Sequence, residues 1–212
     1  MKMLLTVSAA LAAAFLVSSL PAADTTPNDT KAVPDMNDPA MMAKMMELAQ
    51  PGAQHKLLAE LVGTWDYTTK MWMAPGAPPM ETKGKAVREA VLGGRYFIAH
   101  ASGPMEMPGA DGKMQNFEFK GMSVDGYDNV KQKFVSTWID NMGTGIMISE
   151  GTYDPASKTF TYHGTMEMVP GMKSEMRETI KVVDADHHTF SFYEMRGGKE
   201  ALTMELNYTR RK

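Results

Sequence analysis

From residue 65 to the C-terminus, short segments alternate apolar and polar residues with a period of two. Successive side chains of a strand point to opposite faces, so this alternation is typical of half-buried β-strands. Turn segments rich in Gly, Pro, Asn and Asp separate them, because these residues adopt turn conformations at little cost. The predicted strands are residues 65–73, 82–92, 96–102, 117–125, 133–140, 146–153, 159–166, 174–183, 189–196 and 201–210.

About ten short strands joined by short turns predict a mostly β fold with an antiparallel, up-and-down order. A sheet of that many strands curls, and closure into a barrel removes its exposed edges. The pattern therefore favours a β-barrel. A flat sandwich of two sheets is the alternative.

Ahead of the strands the apolar spacing becomes helical. Asp38 caps a predicted Met-rich helix with Pro39 at its first position, and a second short helix spans residues 55–62 before Gly63 ends it. A methionine stripe at this spacing indicates an apolar packing face rather than a set of metal ligands. The barrel is thus expected to carry a short N-terminal helical segment.

The first residues predict an export signal. A positive Lys2, an apolar run over residues 3–20 and small residues at 21–23 are typical of a cleaved signal peptide. A retained membrane anchor is the alternative, although the run is diluted by Ala and Ser and is short for a span. We therefore divide the chain into a signal peptide (1–23), a disordered linker with a Met-rich helix (24–50) and a barrel domain (51–212). The mature protein is expected to be periplasmic or secreted, without a membrane segment.

The composition excludes several kinds of site. The 212-residue chain has a formal net charge of -3 with both signs mixed, which gives no support for a nucleic-acid partner. It contains no cysteine, so disulfides, thiolate metal sites and a Cys nucleophile are excluded. Methionine is abundant, at 22 residues. No Gly-x-Ser-x-Gly nucleophile elbow is present.

A short helix runs into Gly63-Thr64-Trp65 at the first strand, and Arg210 ends the last strand. This arrangement resembles the calycin pattern of lipocalins and fatty-acid-binding proteins, and the resemblance implies that Trp65 stacks under Arg210 to close the barrel base. Further motifs resemble those of a bacterial domain-of-unknown-function family, number 1579 in its series, with a lipocalin-like barrel. These motifs are LGGRY at 92–96, GYDN at 126–129, STWID at 136–140, GTG at 143–145, SEGTYD at 149–154 and YTR at 208–210. The resemblance implies a fold and carries over no reaction.

Alternation predicts which side chains share the inner face of the barrel. Along the last strand, Leu202 shares the predicted inner face with Met204, Leu206 and Tyr208. Polar residues occur on the predicted inner face of other strands, and charges are rarely buried unless they are paired or serve a site. The candidate cavity residues are Tyr67, His100, Trp138, Asp140, Glu178 and Glu194, with Arg88 as a further possibility. Internal ion pairs, or an inverted face caused by one β-bulge, are the alternatives.

Methionine pairs offer a second chemistry, because thioethers are soft ligands that suit Cu(I). Met105 and Met107, and Met166 and Met168, are weak candidates for such a site, against the alternative of a Met-rich core. His187 and His188 are interpreted as part of a solvated turn.

The leading hypothesis is therefore an exported, non-catalytic barrel that binds a small apolar molecule. Copper binding through the Met pairs, an enzyme that uses the inward carboxylates, and a partner-binding module docked through the first helix remain open. The sequence leaves both the cofactor and the oligomeric state open.

Overall fold

A computed structural model of the chain describes residues 35, 37–109 and 111–212. The predicted signal peptide and residues 24–34 of the predicted linker lie outside the described residues. Within the described part, two helices precede ten strands. They are α1 (Pro39–Leu48), α2 (Ala53–Ala59), β1 (Gly63–Met71), β2 (Met80–Val91), β3 (Tyr96–Pro108), β4 (Met114–Asp128), β5 (Lys133–Asp140), β6 (Met147–Asp154), β7 (Thr159–Val169), β8 (Met172–Val182), β9 (His187–Arg196) and β10 (Lys199–Arg210).

The strands form one closed antiparallel barrel in which each strand pairs with its neighbours in sequence and β10 returns to β1. Trp65 pairs with Arg210 and Tyr67 with Tyr208 across the closing seam. The predicted mostly β, up-and-down, lipocalin-like barrel is confirmed, and the sandwich alternative is wrong. Every strand has a partner on both sides, so the barrel wall is closed. Solvent can reach its inner face only through the two ends or through gaps in the wall.

β3 and β4 are longer than the sequence predicted. The segment between the predicted strands 96–102 and 117–125, including the turn-like residues 104–112, was expected to be a loop, but β3 continues to Pro108 and β4 begins at Met114. β3 pairs with β2 only as far as Ser102 and with β4 over its whole length. Beyond Ser102 its other edge is therefore open, and the missing N–H of Pro104 breaks no hydrogen bond there.

β10 contains an irregularity that reverses one predicted position. The pairing of β10 with β9 shifts between Leu202 and Met204, and Thr203 is buried at the shift. Leu202 pairs with Tyr193, which stacks with Arg177 on the outer face, so its predicted inward placement is wrong. The bulge restores the predicted inner face from Met204 onward.

The base of the barrel is closed by α2 and the turn that follows it. Leu58 and Leu61 are buried against Phe97, Phe134 and Phe160 from three strands. The guanidinium of Arg210 lies 4.1 Å from the ring centroid of Trp65 and donates to the carbonyl oxygens of Glu60 and Val62. The predicted stacking of Trp65 and Arg210 is thus present, and it ties the last strand to the segment that leads into the first.

Two inward aromatic rings lie along the wall rather than across the barrel. A Cβ on Gly84 would collide with the ring of Tyr67, and a Cβ on Gly121 would collide with the ring of Trp138. Glycine at these two positions therefore provides the close approach that lets each ring lie flat against a neighbouring strand.

The end opposite α2 is open and split. The β2–β3 pairing stops at Lys85 and Ser102, and the β6–β7 pairing stops at Ser149 and Gly164, although β3 and β7 both continue beyond these points. The strand ends there separate into hairpins instead of a continuous rim. We call this end the mouth.

α1 contributes no buried residue, so its methionine stripe does not form the expected packing face. Its C-terminal end is held by the side chain of Asn129, which donates to the carbonyl oxygens of Leu48 and Gln50 at 2.8 and 2.9 Å. Neither α1 nor α2 is long and apolar enough to cross a membrane, and no other helix occurs in the described residues.

Candidate functional site in the barrel interior

Five of the six predicted cavity residues share the inner face of the barrel. Cross-strand pairing aligns the inward positions of neighbouring strands, because directly opposed residues point to the same side. Starting from the buried Tyr67, the inward positions can be traced from each strand to its paired neighbour around the whole barrel. The inward candidates are Tyr67, Trp138, Asp140, Glu178 and Glu194.

The predicted inward placement of His100 is wrong. His100 is exposed and pairs with Val87 and Met122 on the outer face, whereas Ala99 and Ala101 on either side of it are buried. The sequence pattern misleads here because the outer face of β3 carries the larger apolar residues Tyr96 and Ile98. Small alanines line the inner wall of this strand.

A buried ion pair lies at the centre of the interior. Arg88 of β2 and Asp125 of β4 are 2.9 Å apart, with side chains only 14% and 5% exposed. Asp125 also accepts hydrogen bonds from the hydroxyls of Ser123 at 2.9 Å and Ser136 at 2.6 Å. Both carboxylate oxygens are therefore engaged, as a buried charge requires. We call these four residues the Arg88 cluster.

A second acidic side chain lies on the opposite wall. Glu178 of β8 is 6% exposed and accepts a hydrogen bond from the Ser149 hydroxyl at 3.2 Å. Burial raises the pKa of Glu178 to about 7, and the negative charge of Asp125 adds to this effect, which the Ser149 hydrogen bond partly offsets. Burial thus favours the protonated form of this carboxyl group.

Aromatic rings enclose a buried histidine toward the base. The imidazole of His188 stacks on Tyr208 with ring centroids 4.3 Å apart and meets Trp65 edge-on at the same distance. Burial and the charges of Arg88 and Arg210 lower the pKa of His188 to about 3, so the ring is neutral. The interpretation of His188 as part of a solvated turn is wrong, although His187 is exposed and contacts Asp184.

Trp138 and Leu206 pack against a buried cluster of Trp65, Tyr67, Ala86 and Ala101, but part of the inner face stays accessible. Ser136, Phe190 and Leu206 are only half-buried, although each lies on the inner face of a strand that is paired on both sides at that position. Their outer surroundings are backbone, so their remaining exposed area faces the interior. This accessible space, which we call the lumen, lies between the Arg88 cluster and the mouth.

The mouth is lined by flexible apolar side chains. Met71 of β1 pairs directly with Met80 of β2 and with Met204 of β10, so the three thioethers lie side by side on the inner face. Methionine packs adaptably around irregular shapes. The two acidic candidates near this end are already engaged: Asp140 accepts from Trp138 Nε1 at 2.9 Å, and Glu194 pairs with Arg196.

The methionines suggested for copper are not brought together. Met105 and Met107 lie half-buried on β3, and Met166 lies on β7, with three strands between them around the barrel. Met168 also belongs to β7, but its side chain lies outside what the structure describes. Among the described residues, no group of three or more His, Asp or Glu side chains is arranged to hold a metal ion. Copper binding therefore stays an untested prediction.

The structure has two depressions of about 450 Å³ each, and inner-face residues contribute to both: Trp65 and His188 to one, Gly164 and Met176 to the other. One is at the base beside Trp65 and His188, where Glu60, Lys158, Asp184 and Arg210 bring four charged groups to its rim. The other lies on the wall at β6–β8 and includes His163 and Glu175. Charged side chains line both depressions, which makes them less suited to an apolar molecule.

Sequence reasoning missed much of the polar interior. Asp125 and its serines were not proposed, and Arg88 was only a further possibility. The alternation Ser123, Asp125, Tyr127 along β4 was the available signal, but the apolar Val124 lies on the opposite face, so alternation alone does not identify the inner face of this strand. The Arg88–Asp125 pairing joins two strands that are not adjacent, so no local pattern indicates it.

The chain was also compared with known proteins. The model of a family described as "Protein of unknown function (DUF1579)" matches residues 50–210. Among solved structures, Rv2717c from M. tuberculosis has 15% sequence identity and a TM-score of 0.53, over 77% of this chain and 100% of that one. A protein of unknown function from the DUF3598 family of Nostoc punctiforme has 7% identity and a TM-score of 0.25, over 76% and 100%. No curated protein matches the chain. The likeness to Rv2717c supports the barrel fold alone.

Proposed function

This chain belongs to the DUF1579 family of proteins of unknown function, and we propose that it binds a small, largely apolar molecule in the lumen of its barrel without transforming it. The observation that carries this proposal is the half-buried state of Ser136, Phe190 and Leu206 on a fully paired inner face. A concave, mostly apolar space with a few fixed polar groups is the usual form of a small-molecule site.

The walls of the lumen favour an apolar occupant. Trp138 and Phe119 stack with ring centroids 6.3 Å apart on adjacent strands, and Phe190 and Phe192 stack at 6.5 Å on the far wall. The methionines of the mouth extend this apolar lining to the outside. An apolar molecule would remove these surfaces from water, at about 25 cal/mol for each Å² buried.

Binding without catalysis is supported by the state of three of the four inward carboxylates, the fourth being Glu178. Asp125, Asp140 and Glu194 each accept hydrogen bonds or ion pairs from neighbouring side chains. A general base must be free to reach a substrate proton. These three carboxylates are instead committed to holding the barrel interior in one arrangement.

Export is part of the same proposal. The signal-like residues 1–23 and the absence of cysteine are compatible with a periplasmic or secreted barrel that carries its ligand outside the cytoplasm. N-terminal sequencing of the protein from its native cells would test this, with a mature start near Asp24 as the expected result and a retained Met1 as the contrary one.

Native mass spectrometry of the protein purified from its own cells tests the binding function. We expect the wild-type protein to carry an organic molecule at one copy per chain, which denaturation releases. Leu206→Trp places a larger ring in the lumen and should abolish this bound mass, whereas Asn207→Trp adds the same ring to the exposed outer face and should keep it.

Three outcomes would contradict the proposal. They are a wild-type protein that carries no organic molecule, a bound mass that survives Leu206→Trp, and a bound mass that Asn207→Trp removes as completely as Leu206→Trp does. Circular dichroism of both variants separates loss of ligand from loss of fold.

A further inference from the structure

The Arg88 cluster leaves one strong hydrogen-bond donor unused. Arg88 Nη2 pairs with Asp125, but Arg88 Nη1 is buried and has no hydrogen-bond partner among the described residues. A buried donor without an acceptor costs about 1–3 kcal/mol, and more when the donor is charged. Such a group is therefore a position where an acceptor from outside the chain, a ligand or an ordered water, would be stabilised once the neighbouring side chains make room for it.

A second buried atom in the same interior is also without a partner. His188 Nδ1 has none among the described residues, and His188 itself is 9% exposed. Arg88 lies close enough to His188 that, besides burial, its charge lowers the pKa of that imidazole. The unused hydrogen-bonding capacity is thus concentrated at the closed end of the lumen, opposite the methionines of the mouth.

The charges around Arg88 decide which acceptor fits. Asp125 already neutralises the guanidinium, and its oxygens are saturated by Arg88 and two serine hydroxyls. Glu178 adds negative charge to the same interior as it ionises. A carboxylate or phosphate would enter a site with no net positive charge and would meet these two acidic groups, so like-charge repulsion and desolvation oppose it.

We propose that the ligand of the lumen is an apolar molecule with one uncharged oxygen acceptor, such as a carbonyl, which accepts a hydrogen bond from Arg88 Nη1. This inference rests on the proposed function and specifies the chemical class of its ligand. The apolar part of the molecule lies along Trp138, Phe190 and Leu206, and its oxygen points to the Arg88 cluster. The Arg88 cluster therefore determines how the ligand is oriented in the lumen and favours a ligand whose inner end is polar but uncharged.

Three naphthalene probes of similar shape test this inference by fluorescence titration: 2-ethylnaphthalene, 2-acetylnaphthalene and 2-naphthoate. We expect the ketone to bind at least about tenfold more tightly than the hydrocarbon, as a hydrogen bond to a charged donor implies. The carboxylate should bind no more tightly than the hydrocarbon. Arg88→Lys keeps an ammonium group to pair with Asp125 but removes the second donor arm, so it should reduce the preference for the ketone to about twofold or less.

Two further variants make the result specific. Arg177→Lys changes an arginine on the outer face, where it pairs with Glu200, and should keep the ketone preference. The double variant Arg88→Met/Asp125→Leu removes both buried charges together and should bind the ketone and the hydrocarbon equally, even if Arg88→Lys folds poorly.

The outcomes separate this inference from the proposed function. Equal affinity of the wild-type protein for the ketone and the hydrocarbon would contradict the proposed hydrogen bond from Arg88 to the ligand. It would still agree with binding of an apolar molecule in the lumen. If 2-naphthoate bound most tightly of the three probes, the proposal that the ligand's oxygen acceptor is uncharged would be wrong. If none of the three probes binds to the lumen, the proposed function fails as well.

Discussion

Replacing Asp125 by alanine is expected to lower the free energy of unfolding by about 3–5 kcal/mol, because it leaves the buried guanidinium of Arg88 without a counterion. Asp125 is 3% exposed and is the acceptor for Arg88, Ser123 and Ser136 at once. Urea denaturation followed by tryptophan fluorescence measures the change.

The double variant Arg88→Met/Asp125→Leu is the matched control, since it removes both charges and fills the space with apolar atoms. It should recover most of the lost stability. Glu150→Ala breaks the exposed ion pair with Lys131 and should change the stability little, because water and salt screen exposed pairs. A loss for Asp125→Ala as small as that for Glu150→Ala would show that the Arg88 cluster is not a buried ion pair in solution.

The second large effect is a dependence of stability on pH that runs opposite to the usual behaviour of a carboxylate. The pKa of Glu178 rises from 4.5 to about 7 on folding, chiefly because of burial. The folded state therefore holds this proton more tightly than the unfolded chain. The resulting stabilisation is complete below pH 4.5 and is lost as the pH rises through 7, by about 3 kcal/mol in total.

Glu178→Gln removes the titrating carboxyl group, so a comparison of the two proteins' unfolding free energies across pH measures its contribution. Relative to the wild-type protein, the variant should become more stable by about 3 kcal/mol between pH 4 and pH 9. His188 loses stabilisation below its unfolded pKa of 6.5 in both proteins, so its contribution cancels in the difference. Glu118→Gln, which changes an exposed carboxylate on the outer face of β4, is the control for the substitution itself. A difference for Glu178→Gln that does not change with pH would show that Glu178 is solvated.

Much of the fold was predictable from local sequence. β5 combines aromatic and β-branched residues between two turns, and its predicted bounds, 133–140, are those of the structure. The stacking of Trp65 and Arg210 was predicted correctly because both lie near strand ends in a motif that resembles the calycin pattern. Strand order followed from the short turns, since these can only join antiparallel neighbours.

The errors arose where tertiary structure overrides local pattern. In β3 the small residues Ala99 and Ala101 face the interior, and larger residues lie on the outer face. Since apolar bulk usually marks the inner face, the assignment of His100 to the interior was wrong. In β10 a bulge at Thr203 moved Leu202 to the outer face, which alternation alone cannot show. Pro104 and Pro108 suggested a loop, but β3 has an open edge there that tolerates proline.

The candidate site was harder to predict than the fold for a physical reason. Its main polar contacts join residues far apart in sequence: Arg88 with Asp125, and Ser149 with Glu178. These contacts depend on strand register and on which face closes inward, and a shift of one residue reverses both. Glu178 was identified because it is a charge within an apolar alternation, whereas Asp125 lies among small and polar neighbours and gave no such contrast.

Xenon binding in a crystal of the protein tests the central claim most directly, because xenon enters apolar cavities without needing a specific ligand. We expect an anomalous-scattering peak in the lumen, bounded by Trp138, Phe190 and Leu206, and its loss in Leu206→Trp. A wild-type crystal in which these side chains touch each other and no xenon lies between them would contradict the account, because the barrel would then be a solid core whose function lies on its surface.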